Sequence, residues 1–335
     1  MQVVKISPTL SINYTIHKWD PGSLETKAGP EDLGIWVILI SGLGDTQVIW
    51  EDQIKAFIKA GYSVLTYDNR GVGLSSRPAT EDDVKWTAED MASDLRAVVK
   101  TLGLPRYHIL GISMGGMIAQ SYASMYGNHS PISQKQGGGI EDDDVDDDDD
   151  DRVRPDELMS LTLACTYADP GPFCTRMFSL WRDMATKMSV ADACREVLLW
   201  CFTPEWFSDP KQQGFLATVE GMMNDADEEM GLPAYLAQLN VIMTFDSRGW
   251  VGRLGAAATN TQEAATDVHP TSVFVLVGEK DGLIPHCQSK ELCDLIDGAE
   301  WVVTKGAHAC NNEYPDEFSG NAMACFKKAE ERFWP

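Results

Sequence analysis

Short β-branched and apolar runs recur along this chain with helix-length stretches between them, and this alternation constrains the fold more than any single motif. The runs occupy residues 35–40, 62–67, 108–112, 161–165, 272–277 and 301–304. Each has the length and composition of a strand buried on both faces. Helical spacing fills residues 50–60, 88–102, 114–126 and 316–333. Strand followed by helix, repeated, predicts an α/β protein with a mostly parallel central sheet flanked by helices. Two further runs, 2–6 and 11–17, read as an antiparallel edge to that sheet.

Two segments interrupt the alternation. Residues 128–154 pass through Gly137, Gly138 and Gly139 into an aspartate tract, a composition that does not offset the entropy of ordering and reads as a disordered insert. Residues 172–264 carry helical periodicity without strands and are rich in Phe, Met and Trp, as expected of a helical cap inserted into the core. The expected division is therefore a core of residues 1–171 and 265–335 with a cap between them. Cap helices must bury apolar faces of their own, so most of those large side chains are expected to be packing and not pocket lining.

The formal charge of −24 is inflated by ten acidic residues within 141–151, which leaves about −14 elsewhere. No Lys/Arg cluster is long enough to track phosphates, which argues against nucleic acid and anionic membranes as partners. No apolar run has the length of a membrane span, and the first residues lack the pattern of a secretory signal. Eight cysteines are scattered without a C-x-x-C pair, consistent with reduced thiols and a cytoplasmic location. The glycosylation sequons at Asn13 and Asn128 are then without consequence.

The chemistry centres on Gly111-Ile112-Ser113-Met114-Gly115. A lone G-x-S-x-G is a weak signal. Here it joins a predicted strand to a predicted helix, the setting in which a sharp turn lifts a serine hydroxyl clear of a sheet edge. Such a serine needs an imidazole to accept its proton. Among six histidines, His17, His108, His129 and His269 fall at structural or surface positions. His286 is too close to the best acid candidate for both to reach the serine from separate loops. His308 remains, in a loop directly after the run 301–304. Asp281, after the run 272–277, is the expected carboxylate, with Asp169 and then Glu279 as rivals. The oxyanion of a tetrahedral intermediate would be held by the amides of Met114 and of Leu43 in the turn Ser41-Gly42-Leu43-Gly44-Asp45.

With these segments in place the chain resembles the α/β-hydrolase superfamily, in particular its esterase and enol-lactonase-like branch with a helical cap. The resemblance spans nearly the whole chain. It rests on the serine turn, on Asp68-Asn69-Arg70-Gly71-Val72-Gly73-Leu74-Ser75, which looks like the family's D-x-R-G-x-G-x-S loop, and on Gly278-Glu279-Lys280-Asp281, which looks like its G-x-x-D. The order Ser, Asp, His is also the family's. Two departures are Ser41 in place of the usual histidine before the oxyanion glycine, and the acidic insert. The resemblance implies a serine hydrolase of a small, apolar ester, lactone or thioester that works through an acyl-enzyme at Ser113, with no metal or organic cofactor. Carbon–carbon bond hydrolysis, cofactor-free perhydrolysis or a lyase step would use the same triad. A non-catalytic ligand-binding or interaction protein is the rival from another class.

Overall fold

The computed structural model describes residues 2–18, 34–78, 85–127, 158–255 and 271–333. The acidic insert, His129, His269 and the second sequon lie outside them.

In chain order the elements are β1 (Gln2–Lys5), β2 (Ser11–His17), β3 (Ile35–Ile40), a 3-10 turn at Gln47–Trp50, α1 (Glu51–Lys59), β4 (Ser63–Tyr67), α2 (Ala88–Leu102), β5 (Arg106–Ile112), α3 (Met114–Tyr126) and β6 (Leu158–Ala164). Six helices follow: α4 (Gly171–Lys187), α5 (Val190–Cys201), α6 (Pro204–Ser208), α7 (Gln213–Asn224), α8 (Ala226–Glu229) and α9 (Gly231–Thr244). The chain then returns to the sheet through β7 (Ser272–Gly278), α10 (His286–Leu295), β8 (Glu300–Thr304), α11 (Cys310–Glu313) and α12 (Pro315–Phe333).

The eight strands form one sheet in the order β1-β2-β4-β3-β5-β6-β7-β8. β1 and β2 make the antiparallel edge, and β3 to β8 pair in parallel. The expected strands all form, with boundaries moved by a few residues: β6 starts at Leu158 rather than 161, and β5 at Arg106 rather than 108. Polar Ser160 and Thr162 in β6 blurred the apolar pattern there, although both are buried.

Alternation along the central strands sorts side chains into two layers. Ile38, Ile40, Tyr107 and Ile109 face a core shared with Leu95 and Val99 of α2 and Ile118 of α3. Val37, Leu39, Leu110 and Ile112 face the other core, with Phe57 of α1 and Phe318 and Phe326 of α12. Both faces are covered, which is why these strands are apolar throughout rather than alternating. α2 is delimited by a capping box between Thr87 and Asp90, which satisfies orphan amides at its start.

The helices between β6 and β7 bury most of their aromatic residues. Phe178, Trp181, Phe202 and Trp206 are each less than 7% exposed, and Phe202 stacks on Trp206 at 3.8 Å between ring centroids. Phe178 and Trp181 join the same core cluster as the sheet residues, which is the packing role expected of them.

The D-x-R-G loop is scaffolding. Arg70 grips Asp94 of α2 through two bonds of 2.6 and 2.7 Å and lies over the Trp86 ring. Burial pushes the Asp94 carboxyl up, and Arg70 pulls it back toward the ionised form. Removing the guanidinium would strand a buried carboxyl without its partner. Arg70→Ala is therefore expected to cost about 3–5 kcal/mol of stability, read as a lower urea midpoint at unchanged slope.

Candidate active site

Ser113, Asp281 and His308 stand at one edge of the sheet, after the C-terminal ends of β5, β7 and β8. This is the edge where side chains from separate parallel strands converge in open α/β sheets.

Ser113 occupies the turn between β5 and α3 with φ 57° and ψ −121°, a conformation that costs about 1–3 kcal/mol and persists only where its surroundings enforce it. The enforcement is visible. The Ser113 amide donates to the Ala164 carbonyl at 2.9 Å, and the Gly116 amide donates to the Ser113 carbonyl at 2.9 Å. α3 starts at Met114 with no acidic residue in its first turn, so nothing local offsets the partial positive charge of its N-terminus.

Asp281 and His308 meet through a 2.9 Å bond between Oδ2 and Nδ1. The other carboxylate oxygen, Oδ1, accepts the amides of Leu283 and Ile284 at 3.0 and 2.9 Å. Three donors therefore hold Asp281 in one orientation, and His308 keeps Nε2 for a second partner. Among the described residues no hydrogen bond joins His308 to Ser113. The loop carrying His308 is braced from below and above. Glu313 accepts the Ala307 amide at 2.9 Å and also bonds the Thr203 hydroxyl, while the Ala309 amide donates to the Cys201 carbonyl at the end of α5.

The rival acids are engaged elsewhere. Asp169 pairs with Arg248 at 3.1 Å and accepts the Gly171 amide. Glu279 is exposed. Of the other described histidines, His17 bonds Thr66, His286 bonds the Gly278 carbonyl, and His108 is enclosed between Ser160 and Glu330.

The turn Ser41-Gly42-Leu43-Gly44-Asp45 passes beside Ser113. A Cβ placed on Gly42 would lie 3.4 Å from the Ser113 Cβ. Among the described residues the amides of Leu43 and Met114 donate to no group, which leaves both available to an oxyanion. The turn is tied to α9, where Gln238 accepts the Gly44 amide at 2.8 Å and donates to the Arg70 carbonyl at 2.8 Å. Ser41 fills the place of the family's histidine by accepting from the Trp50 indole at 3.1 Å.

Two polar groups at the site carried no weight in the sequence reading. Asp45, half-buried, has its carboxyl pushed up to about 6 by burial, against the opposing pull of nearby His308 and of the Gly42 amide. Cys165, in the left-handed region at φ 46°, is buried behind the Asp281–His308 pair. Cys165, Asp281 and His308 each offer a potential ligand atom within 4.8 Å of the others. That set suits a metal poorly. Asp281 and His308 are already bonded to each other, and the Cys165 thiol, 3.6 Å from Cys310 Sγ, is pushed well up by that contact and by burial, so it stays protonated. All eight cysteines are free thiols. A groove of about 560 Å³ beside the β1–β2 edge, lined in part by Asn13, Gln47 and Asp68, contains none of the three candidate residues.

The comparisons with known proteins agree with this architecture. The family described as alpha/beta hydrolase fold matches residues 35–133. The enol-lactonase from Burkholderia xenovorans superposes with a TM-score of 0.68 at 20% identity, covering 96% of this chain and 98% of that one. The chain has the α/β-hydrolase fold. Its fold also resembles that of the bromoperoxidase from Bacillus anthracis, with a TM-score of 0.70, 19% identity and coverage of 97% and 99%. In sequence it is 24% identical over 312 residues to a Caulobacter segnis protein named "Putative carbamate hydrolase RutD", covering 92% of this chain and 93% of the relative. Among the described residues no helix is long and apolar enough to cross a membrane.

Proposed function

We propose that this α/β hydrolase cleaves a small carboxylic ester, lactone or thioester through an acyl-enzyme at Ser113. The observation that carries the reading is the Asp281–His308 hydrogen bond at the sheet edge that also presents Ser113 on its strained turn. The Ser113 Oγ attacks the carbonyl carbon while its proton passes to His308 Nε2. The developing imidazolium keeps its Nδ1–H on Asp281. The negative charge on the carbonyl oxygen falls to the Leu43 and Met114 amides. Collapse of the intermediate breaks the bond to the leaving group, which takes the proton from His308 and leaves an ester on Ser113. Water, deprotonated by the same imidazole, then releases the acid and restores the serine.

The names carried by the relatives, carbamate hydrolase and enol-lactonase among them, support acyl-transfer chemistry and widen the acyl groups worth testing to carbamates. A fluorophosphonate probe should label the wild-type protein at Ser113 and leave Ser113→Ala unlabelled, read by mass spectrometry of the modified peptide. A wild type that stays unlabelled while remaining folded overturns the reading.

A further inference from the structure

Asp45 is the one carboxylate in the turn that passes the nucleophile. Gly42 stands between the two: the Cβ it lacks would lie 3.0 Å from Asp45 Oδ2 and 3.4 Å from Ser113 Cβ. The groups that face Asp45 come from three elements. Its own turn supplies the Gly42 amide, the loop after β8 supplies His308, and α5 supplies the thiols of Cys194 and Cys201, which feel its charge. Burial holds both thiols up, Cys194 at about 12, so they remain neutral. Among the described residues no lysine or arginine pairs with Asp45. Arg70 pairs with Asp94 and Lys280 with Glu205.

A half-buried carboxylate without a lysine or arginine partner is costly, and an ionised one beside an oxyanion hole opposes the charge that develops there. Both penalties are relieved by a positive, hydrogen-bond-donating group brought in by the substrate. We propose that Asp45 is a specificity-determining residue that selects acyl compounds bearing an ammonium or comparable N–H donor a few bonds from the scissile carbonyl, in preference to purely hydrocarbon esters. This rests on the hydrolase reading of Ser113. It also departs from the apolar substrate expected from the composition of the cap helices.

Two isosteric ester pairs test it, one for each side of the scissile bond: dimethylaminoethyl butyrate against isopentyl butyrate, and methyl dimethylaminobutanoate against methyl isoheptanoate. In the wild type at neutral pH, the ammonium ester of at least one pair should be favoured in kcat/KM by about tenfold or more, the scale of one desolvated charge-assisted contact. Asp45→Asn retains an acceptor for the Gly42 amide and removes the charge. It should collapse the ratio toward unity by raising KM for the ammonium ester, and should raise kcat for its neutral partner a few-fold. The ratio cancels any pH dependence common to both esters. Because the Asp45 carboxyl is pushed up to about 6, the preference should appear as pH rises through that value and fade below it.

Ratios that are equal in wild type and Asp45→Asn, with both proteins labelled at Ser113 by fluorophosphonate, overturn the role of Asp45 and leave the hydrolase reading standing. A wild type that is neither labelled nor active overturns both.

Discussion

Ser113→Ala is expected to lower kcat/KM, on whichever ester the wild type hydrolyses best, by about a millionfold, since a triad acts as a unit and the nucleophile carries the covalent step. His308→Ala should lose about as much, and the double variant should lose little more than either. Asp281→Asn should cost about ten-thousandfold. The reason is geometric. Asp281 Oδ2 faces His308 Nδ1, and Oδ1 is already filled by two backbone amides. An asparagine must keep its oxygen on those amides and turn its NH₂ toward the ring, which then carries its proton on Nε2, where the serine needs an acceptor. Asp169→Asn should leave turnover within a small factor of wild type, because Asp169 is committed to Arg248 and Gly171. Steady-state kinetics on the five variants, with thermal melts to show that each is folded, checks the whole set. Retained activity in Ser113→Ala would sink the acyl-enzyme.

The second large effect concerns stability. Gly115 enters α3 where it crosses the end of β3, and a Cβ there would stand 2.1 Å from the Ile40 carbonyl oxygen and 2.9 Å from that of Ser41. Both obstacles are backbone, so no side-chain rotation relieves the overlap, and either the helix or the turn after β3 must move. Gly115→Ala is expected to destabilise the protein by about 4 kcal/mol or more, measured by urea unfolding, with loss of fluorophosphonate labelling in whatever fraction still folds. Gly221, inside α7, is the control: a Cβ there meets nothing within 4 Å. Gly221→Ala should be neutral or stabilise by about 0.5–1 kcal/mol through helix propensity. The contrast separates the general cost of altering a helical glycine from the specific demand of the turn that carries Ser113.

The sheet was legible in advance because its strands are buried on both faces and bounded by polar turns, so a local window of residues sees the signal. β3, β5 and β7 show this, as does α3, whose start and end match the periodic stretch. β6 was clipped because Ser160 and Thr162 satisfy their hydroxyls or bury them inside the sheet, and residue type does not reveal that. α10 and α11 were not anticipated. They are short, and their helicity comes from packing on β7, β8 and α12 more than from any pattern of their own.

At the site the division is sharper. The residue types and their order along the chain were enough to nominate Ser113, His308 and Asp281, because a nucleophile, a base and an acid must each follow a different strand of a parallel sheet. Which of Asp281 and Asp169 meets His308 was decided only by the tertiary structure, since both follow strands and the fold brings Arg248 to one and His308 to the other. Asp45 was read merely as part of a glycine-rich turn. Its charge matters only because residues 194, 201 and 308, far away in sequence, close around it and none of them is a lysine or arginine. The serine and its partners were written locally, as strand, turn and type. What surrounds them, and so what the site selects, depends on long-range burial and on which charges are left unpaired, quantities that exist only once the chain has folded.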